Sequence, residues 1–276
     1  MTSSIENRSS WKRFWERGDW WRAIILAAGY YVLYQLASLL LVPWASSFDD
    51  PDSGGYVLFF YALPILFGGV ILVVFAWSVG WLKELFARQP IRGNWWMWIA
   101  VAVVVVFNVL HFATIDYASV DAGYVAAWIL AGLCIGFAEE TLTRGFVVNM
   151  MRKAGRPEIA VATVSAAIFA ALHSGNLIMG QTLFATLIQV AYTFAFGICM
   201  YLALRVTGNL IWPILLHATT DPSIFMQAAH PADGALTAFA GLGNIVVIIV
   251  GLVLMIFIRG RVQTRDSALT SPAVVG

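Results

Sequence analysis

The chain has 276 residues, of which 61% are hydrophobic and only 11% charged, and its mean hydropathy is +0.81. Soluble domains carry about 25% charged residues, so this composition belongs to an integral membrane protein. A net charge of +1 excludes bulk attraction to nucleic acid, and two cysteines inside apolar runs, Cys134 and Cys199, do not indicate a disulfide scaffold.

Residues 1–21 come first as an interfacial, cytoplasmic arm. Trp11, Phe14, Trp15, Trp20 and Trp21 are interleaved with charges there, a pattern suited to the lipid headgroup level. The sequence shows no apolar h-region or cleavage site ahead of the first span, which argues against a removable signal peptide. A bilayer core of about 30 Å takes roughly 20 apolar residues per helix. By that ruler eight spans follow, near 22–44, 56–81, 95–115, 122–150, 158–174, 181–204, 209–228 and 238–258. The expected fold is therefore all-α: a polytopic helix bundle forming one transmembrane domain over 22–260, with a disordered cytoplasmic tail at 261–276.

Charge asymmetry orients the spans. With the N-terminus inside, the inner segments hold 15 of the 16 basic residues, in clusters around Lys12, Lys83, Arg152, Arg205 and Arg259. The outer loops hold only acids: Asp49, Asp50, Asp52, Asp116, Asp121 and Asp233. This positive-inside pattern fits an even number of spans and places both termini in the cytoplasm.

The sixteenth basic residue, Arg144, lies inside the membrane with Glu139 and Glu140. His173 ends the fifth span, and the seventh carries His217 and Asp221. Asn108, His111 and Gln189 are weaker members of this polar set, of the kind that holds helices together by hydrogen bonds. An ionisable group at that depth costs several kcal/mol by insertion scales, so a cluster of them marks function. Residues four apart share a helix face, so Glu140 pairs with Arg144, and Glu139, rotated by about 100°, is left as the free carboxylate. His217 and Asp221 share a face by the same spacing. Gly132 and Gly136 form a GxxxG that admits a neighbouring helix one turn earlier. A rise of 1.5 Å per residue puts Glu139 about 20 Å from Arg152, and His173 about 25 Å from Arg156, nearer the outer side unless its helix tilts.

A glutamate with a histidine deprotonates water or holds a metal that does so, and a second histidine with a polar neighbour stabilises an oxyanion. HExxH and GxSxG are both absent, so ordinary zinc-protease and serine-hydrolase signatures do not apply. The three groups instead resemble the motifs of the CAAX protease and bacteriocin-processing family of intramembrane endopeptidases: EExxxR, FxxxH, and HxxxN or a related polar ending. Here they read Glu139-Glu140-Thr-Leu-Thr-Arg144, Phe169-Ala-Ala-Leu-His173 and His217-Ala-Thr-Thr-Asp221, in order, across about residues 120–230.

The resemblance implies a glutamate- or metallo-type endopeptidase whose catalytic core lies in that segment. Glu139 and His173 would activate water, Glu140 and Arg144 would support the site, and His217 with residue 221 would form the oxyanion pocket. Asp221 departs from the asparagine of many members. An ionised aspartate repels an oxyanion, so it must be protonated, paired with His217 or a metal ligand. A divalent metal such as zinc, held by Glu139, His173, His217 and Asp221, stays open. The expected partners are membrane lipid and a membrane-associated peptide or protein substrate, without nucleic acid, in a bacterial plasma membrane. Two alternatives remain: a proton- or ion-coupled transporter, and a non-catalytic adaptor that kept the fold.

Overall fold

The structure, a computed structural model, describes residues 9–262, so the expected tail lies almost wholly outside the described residues. A short helix α1 (Ser10–Glu16) precedes α2 (Trp20–Ala45), α3 (Gly54–Val79), α4 (Trp95–Ala113), α5 (Ala122–Lys153), α6 (Glu158–Leu177), α7 (Leu183–Thr207), α8 (Ile211–Ala229) and α9 (Ala235–Met255). No β-strand occurs among the described residues; two isolated bridges, Ile115 with Pro231 and Pro157 with Arg261, tie loops together.

Helix starts follow the local chemistry. Side chains of Ser9, Ser53, Asp121 and Thr182 each accept from a backbone N–H in the first turn, satisfying donors that would otherwise be left unpaired. Gly80 and Gly208 close α3 and α7 with φ of 81° and 75°, a left-handed conformation that glycine adopts without steric cost.

Seven of these helices are long and apolar enough to cross a membrane, one fewer than the sequence reading expected. The exception is α8, which stands where the seventh span was placed. Its 19 residues include Thr219, Thr220, Asp221, Ser223 and Gln227, which dilute its hydropathy. Helix α8 nevertheless runs antiparallel to α5 over most of its length. A Cβ at Gly136 would stand 2.5 Å from the Ile214 carbonyl, and one at Gly132 would stand 2.2 Å from that of Ala218. At its far end His230 meets the Tyr124 ring at 5.3 Å. At about 1.5 Å per residue such a helix is close to the thickness of the hydrocarbon core. It traverses the bundle with His217, Thr220 and Ser223 buried against protein, where polar side chains are tolerated, and with Trp212, Leu215 and Phe225 exposed.

The two ends of the bundle differ in charge as the sequence predicts. At one end Lys153 pairs with Glu16 and Glu84, Arg156 with Asp19, and Arg205 donates to the Arg92 carbonyl. Arg261 bridges to Pro157 at this same end, so the first and last described segments meet there. At the other end His230 faces Asp52 and Ser119, and Asp116 binds the His230 carbonyl. Helix α1 lies against the basic end: Trp15 is buried against Phe75 at 5.0 Å, while Trp11 stays exposed.

Candidate active site

Glu139 and Glu140 end the regular α-helical part of α5, and Thr141–Val147 continue as a π-helical turn. A π turn widens the helix and often falls at a functional site. The expected pair forms within it, with Arg144 Nη1 3.1 Å from Glu140 Oε1 and both side chains fully buried. Three further contacts, not foreseen, hold the guanidinium. Nη1 donates to Thr143 Oγ1 at 2.5 Å, the Phe169 ring lies 4.8 Å beneath it, and Nη2 is the group that keeps residue 197 a glycine, since a Cβ there would come within 2.8 Å. The backbone is pinned as well, Ser165 of α6 donating to the Thr143 carbonyl at 2.9 Å.

Glu140 also accepts from His217. Nδ1 of that histidine is 2.8 Å from the same Oε1 that meets Arg144. Because a carboxylate only accepts, Nδ1 carries the proton, and Nε2 is the nitrogen turned toward the rest of the site. Nε2 lies 3.6 Å from Glu139 Oε2 and 3.9 Å from Asp221 Oδ1. A single imidazole thus joins the carboxylate of the structural pair to the two other carboxyl groups of the site.

His173 has the same tautomer. Its Nδ1–H donates to the Phe169 carbonyl at 2.9 Å, leaving Nε2 as an acceptor. The two histidines, 44 residues apart in sequence, share one ring: Phe169 meets His173 edge-on at 4.8 Å and His217 at 5.7 Å. Phe169, which enters the sequence reading only as the first letter of a motif, thus brings His173 to the side of His217.

Exposure separates the carboxyl groups. Glu140 is completely buried, whereas Glu139 keeps 21% of its side chain accessible and Asp221 keeps 27%. The six residues expected from the sequence are therefore brought together. Asn108 sits at the edge, its amide donating to Thr219 and Thr220 at 2.9 Å each and bracing α8 beside Asp221. His111 and Gln189 stand apart. They bind the Ala240 carbonyl and Asn176, which is the helix-joining role open to any such residue.

Among the described residues no group of three or more His, Cys, Asp or Glu is arranged to hold a metal ion. Carboxylate and imidazole are suitable donors in kind, but in this arrangement Glu139, His173, His217 and Asp221 do not form such a set.

Two cavities flank the cluster. One, about 750 Å³, opens at the basic end and reaches Arg144 and Gly145. The other, about 620 Å³, is an apolar groove between α2 and α6, lined in part by Tyr31, Leu172 and Ser174 on either side of His173.

No protein with a curated description matches the chain. Residues 121–223 match the family model described as "Type II CAAX prenyl endopeptidase Rce1-like", and this segment contains all three motifs and every side chain of the cluster. Over that segment the chain is similar to this family, as the order and spacing of those motifs implied.

Proposed function

We propose that the protein hydrolyses a peptide bond of a membrane-associated protein or peptide, with Glu139 as general base. The observation that supports this best is the contrast between two adjacent carboxyl groups. Glu140 is fully buried and committed to Arg144 and His217, while Glu139 keeps 21% of its side chain accessible and Asp221 keeps 27%.

Water held between Glu139 and Nε2 of His173 gives a proton to Glu139 as its oxygen bonds to the carbonyl carbon. The carbonyl π electrons move to oxygen, forming an oxyanion. On collapse the C–N bond breaks, and Glu139 returns the proton to the departing amine. Glu140, Arg144 and Thr143 hold His217 and the π turn in register, and so act by positioning. His217 and Asp221 lie toward the carbonyl oxygen, as the family resemblance implies. The apolar groove lined by Tyr31, Leu172 and Ser174 would let a substrate in the bilayer approach the site on the side of His173. The setting proposed is a bacterial plasma membrane, with the basic end of the bundle in the cytoplasm.

The test is cleavage of a quenched peptide library by the full chain in proteoliposomes, with Glu139→Gln alongside. Peptides cut only by the wild type support the reading. Identical behaviour of the two proteins on every peptide sinks it and returns the cluster to a proton relay or a packing role. Since the proposed steps use only side chains of the chain, preincubation with EDTA or phenanthroline should leave the rate within about twofold. Loss on chelation, restored by zinc, would assign the water to a metal.

A further inference from the structure

The reaction proposed above needs Glu139 of α5 and His173 of α6 on either side of one water, so the two helices must meet in a fixed register. Most of the face that α6 buries does little to fix it. Val161, Ala162, Ala166, Phe169 and Ala170 are buried there, and attraction between such side chains has no directional preference, unlike a hydrogen bond. A slip of one residue moves His173 by about 1.5 Å along the helix axis. A misplacement of about 1 Å at a reacting group costs up to about 100-fold in rate.

Ser165 supplies a directional contact. It is completely buried, and its hydroxyl donates to the Thr143 carbonyl inside the π turn at 2.9 Å. A hydroxyl within a helix often donates to a carbonyl of its own preceding turn, as Thr163 of the same helix does with Ile159 at 2.8 Å. Ser165 instead reaches across to α5. Among the described residues α5 and α6 share hydrogen bonds at two places, this one and the Arg152–Glu158 pair at the basic end. Thr143 is the hub on the other side. Its own hydroxyl donates to the Glu139 carbonyl at 2.6 Å and accepts from Arg144. On α6, Ser165, Phe169 and His173 follow at four-residue steps and so form one stripe, with His173 tied to the Phe169 carbonyl at 2.9 Å. Glu139 and His173 are therefore both referred to Thr143, one along α5 and the other through Ser165.

We propose that Ser165, outside the three motifs, is a positioning residue that sets the axial register of His173 against Glu139 by holding α6 to the π turn. It acts through the two helices and not on a reacting atom. The idea rests on the hydrolytic reading above.

The experiment uses the full chain in proteoliposomes and a quenched peptide that the wild type cleaves and Glu139→Gln does not. Ser165→Thr and Ser165→Val add nearly the same bulk, but only the first keeps the hydroxyl donor. Ser165→Thr should hold kcat within about threefold of wild type, and Ser165→Val should lower it about 10- to 100-fold, with KM within about twofold. The two variants should melt at the same temperature. In a His173→Ala background their rates should agree within about twofold, because the hydroxyl acts through His173. If the added methyl group prevents folding, wild type against Ser165→Ala gives the same contrast without added bulk. Equal kcat with and without the hydroxyl, a difference that persists in full without His173, or one that follows melting temperature would each overturn the assignment. Failure of the underlying reading looks different, since in that case wild type and Glu139→Gln do not differ on any peptide.

Discussion

Two buried ionic clusters share this fold, and they are built to opposite ends. At the basic end Glu158 accepts from Arg152 through both oxygens, at 2.9 and 2.7 Å, from Arg205 at 3.1 Å, and from the Tyr201 hydroxyl. Gln89 takes another Arg152 donor, and Arg205 donates to the Arg92 carbonyl. Both oxygens of that carboxylate are engaged and none of its surface is accessible. In the membrane interior Glu140 Oε2 has no partner, and neither do Arg144 Nε and Nη2. Glu139 and Asp221 keep accessible surface beside them. A carboxylate with both oxygens engaged binds loops and helix ends, whereas one with an unpaired oxygen, beside partly accessible carboxyl groups, leaves groups available for chemistry.

If that comparison is sound, Glu158→Ala should have the largest effect on the fold. It leaves two buried guanidinium groups without their carboxylate, at a cost of about 3–5 kcal/mol. Thermal unfolding and yield of monodisperse protein in detergent measure it, and a Glu158→Ala protein as stable as wild type would remove the distinction. Glu139→Gln should behave in the opposite way. Its melting temperature should stay within a couple of degrees of wild type, while peptide cleavage falls on the order of 100-fold or more. Stability lost along with activity would mean that Glu139 belongs to the packing.

Arg144→Ala falls between these two. It leaves Glu140 with His217 alone in the protein interior, so it should lower stability by about 1–3 kcal/mol and reduce cleavage as well. A stable, active Arg144→Ala protein would show the pair to be dispensable, and a charge-swapped Glu140→Arg/Arg144→Glu protein that recovers fold without activity would confirm its positioning role.

The smallest effect belongs to the arm. Asp19 accepts from Arg156 at 2.9 and 2.7 Å, and this bond holds its carboxyl below the ordinary value of 3.8. A depressed carboxyl pKa stabilises the arm above that ordinary value, and the contribution is lost as pH falls through the folded-state pKa. Trypsin cleavage after Arg17 should therefore rise roughly two- to threefold in Asp19→Asn at neutral pH. The same change should remove whatever acid sensitivity the arm shows below about pH 4. Equal cleavage of the two proteins would show that Gly18 and the Trp15–Phe75 contact hold the arm unaided.

Several features were legible because they depend on local properties of the chain. Apolar runs of bilayer length gave the helices, since each must satisfy its own backbone in lipid. The four-residue spacing of Glu140 and Arg144 gave their ion pair, and Gly132 with Gly136 gave the seam against α8, although not which helix fills it. Helix α8 itself shows the limit. Its polar residues fit a span only because α5 and its neighbours shield them, and hydropathy does not register a neighbour.

What the sequence by itself determined was therefore the class of protein, the positions of its helices and the six polar residues worth watching. Those follow from hydrophobicity and helical period, which act along the chain. Only the tertiary structure decided how these residues divide their work. Glu140 meets His217 across 77 positions, and Phe169 seats both histidines. No local period encodes these contacts, because they are fixed by the close approach of helices whose separation in sequence carries no information about their distance in space.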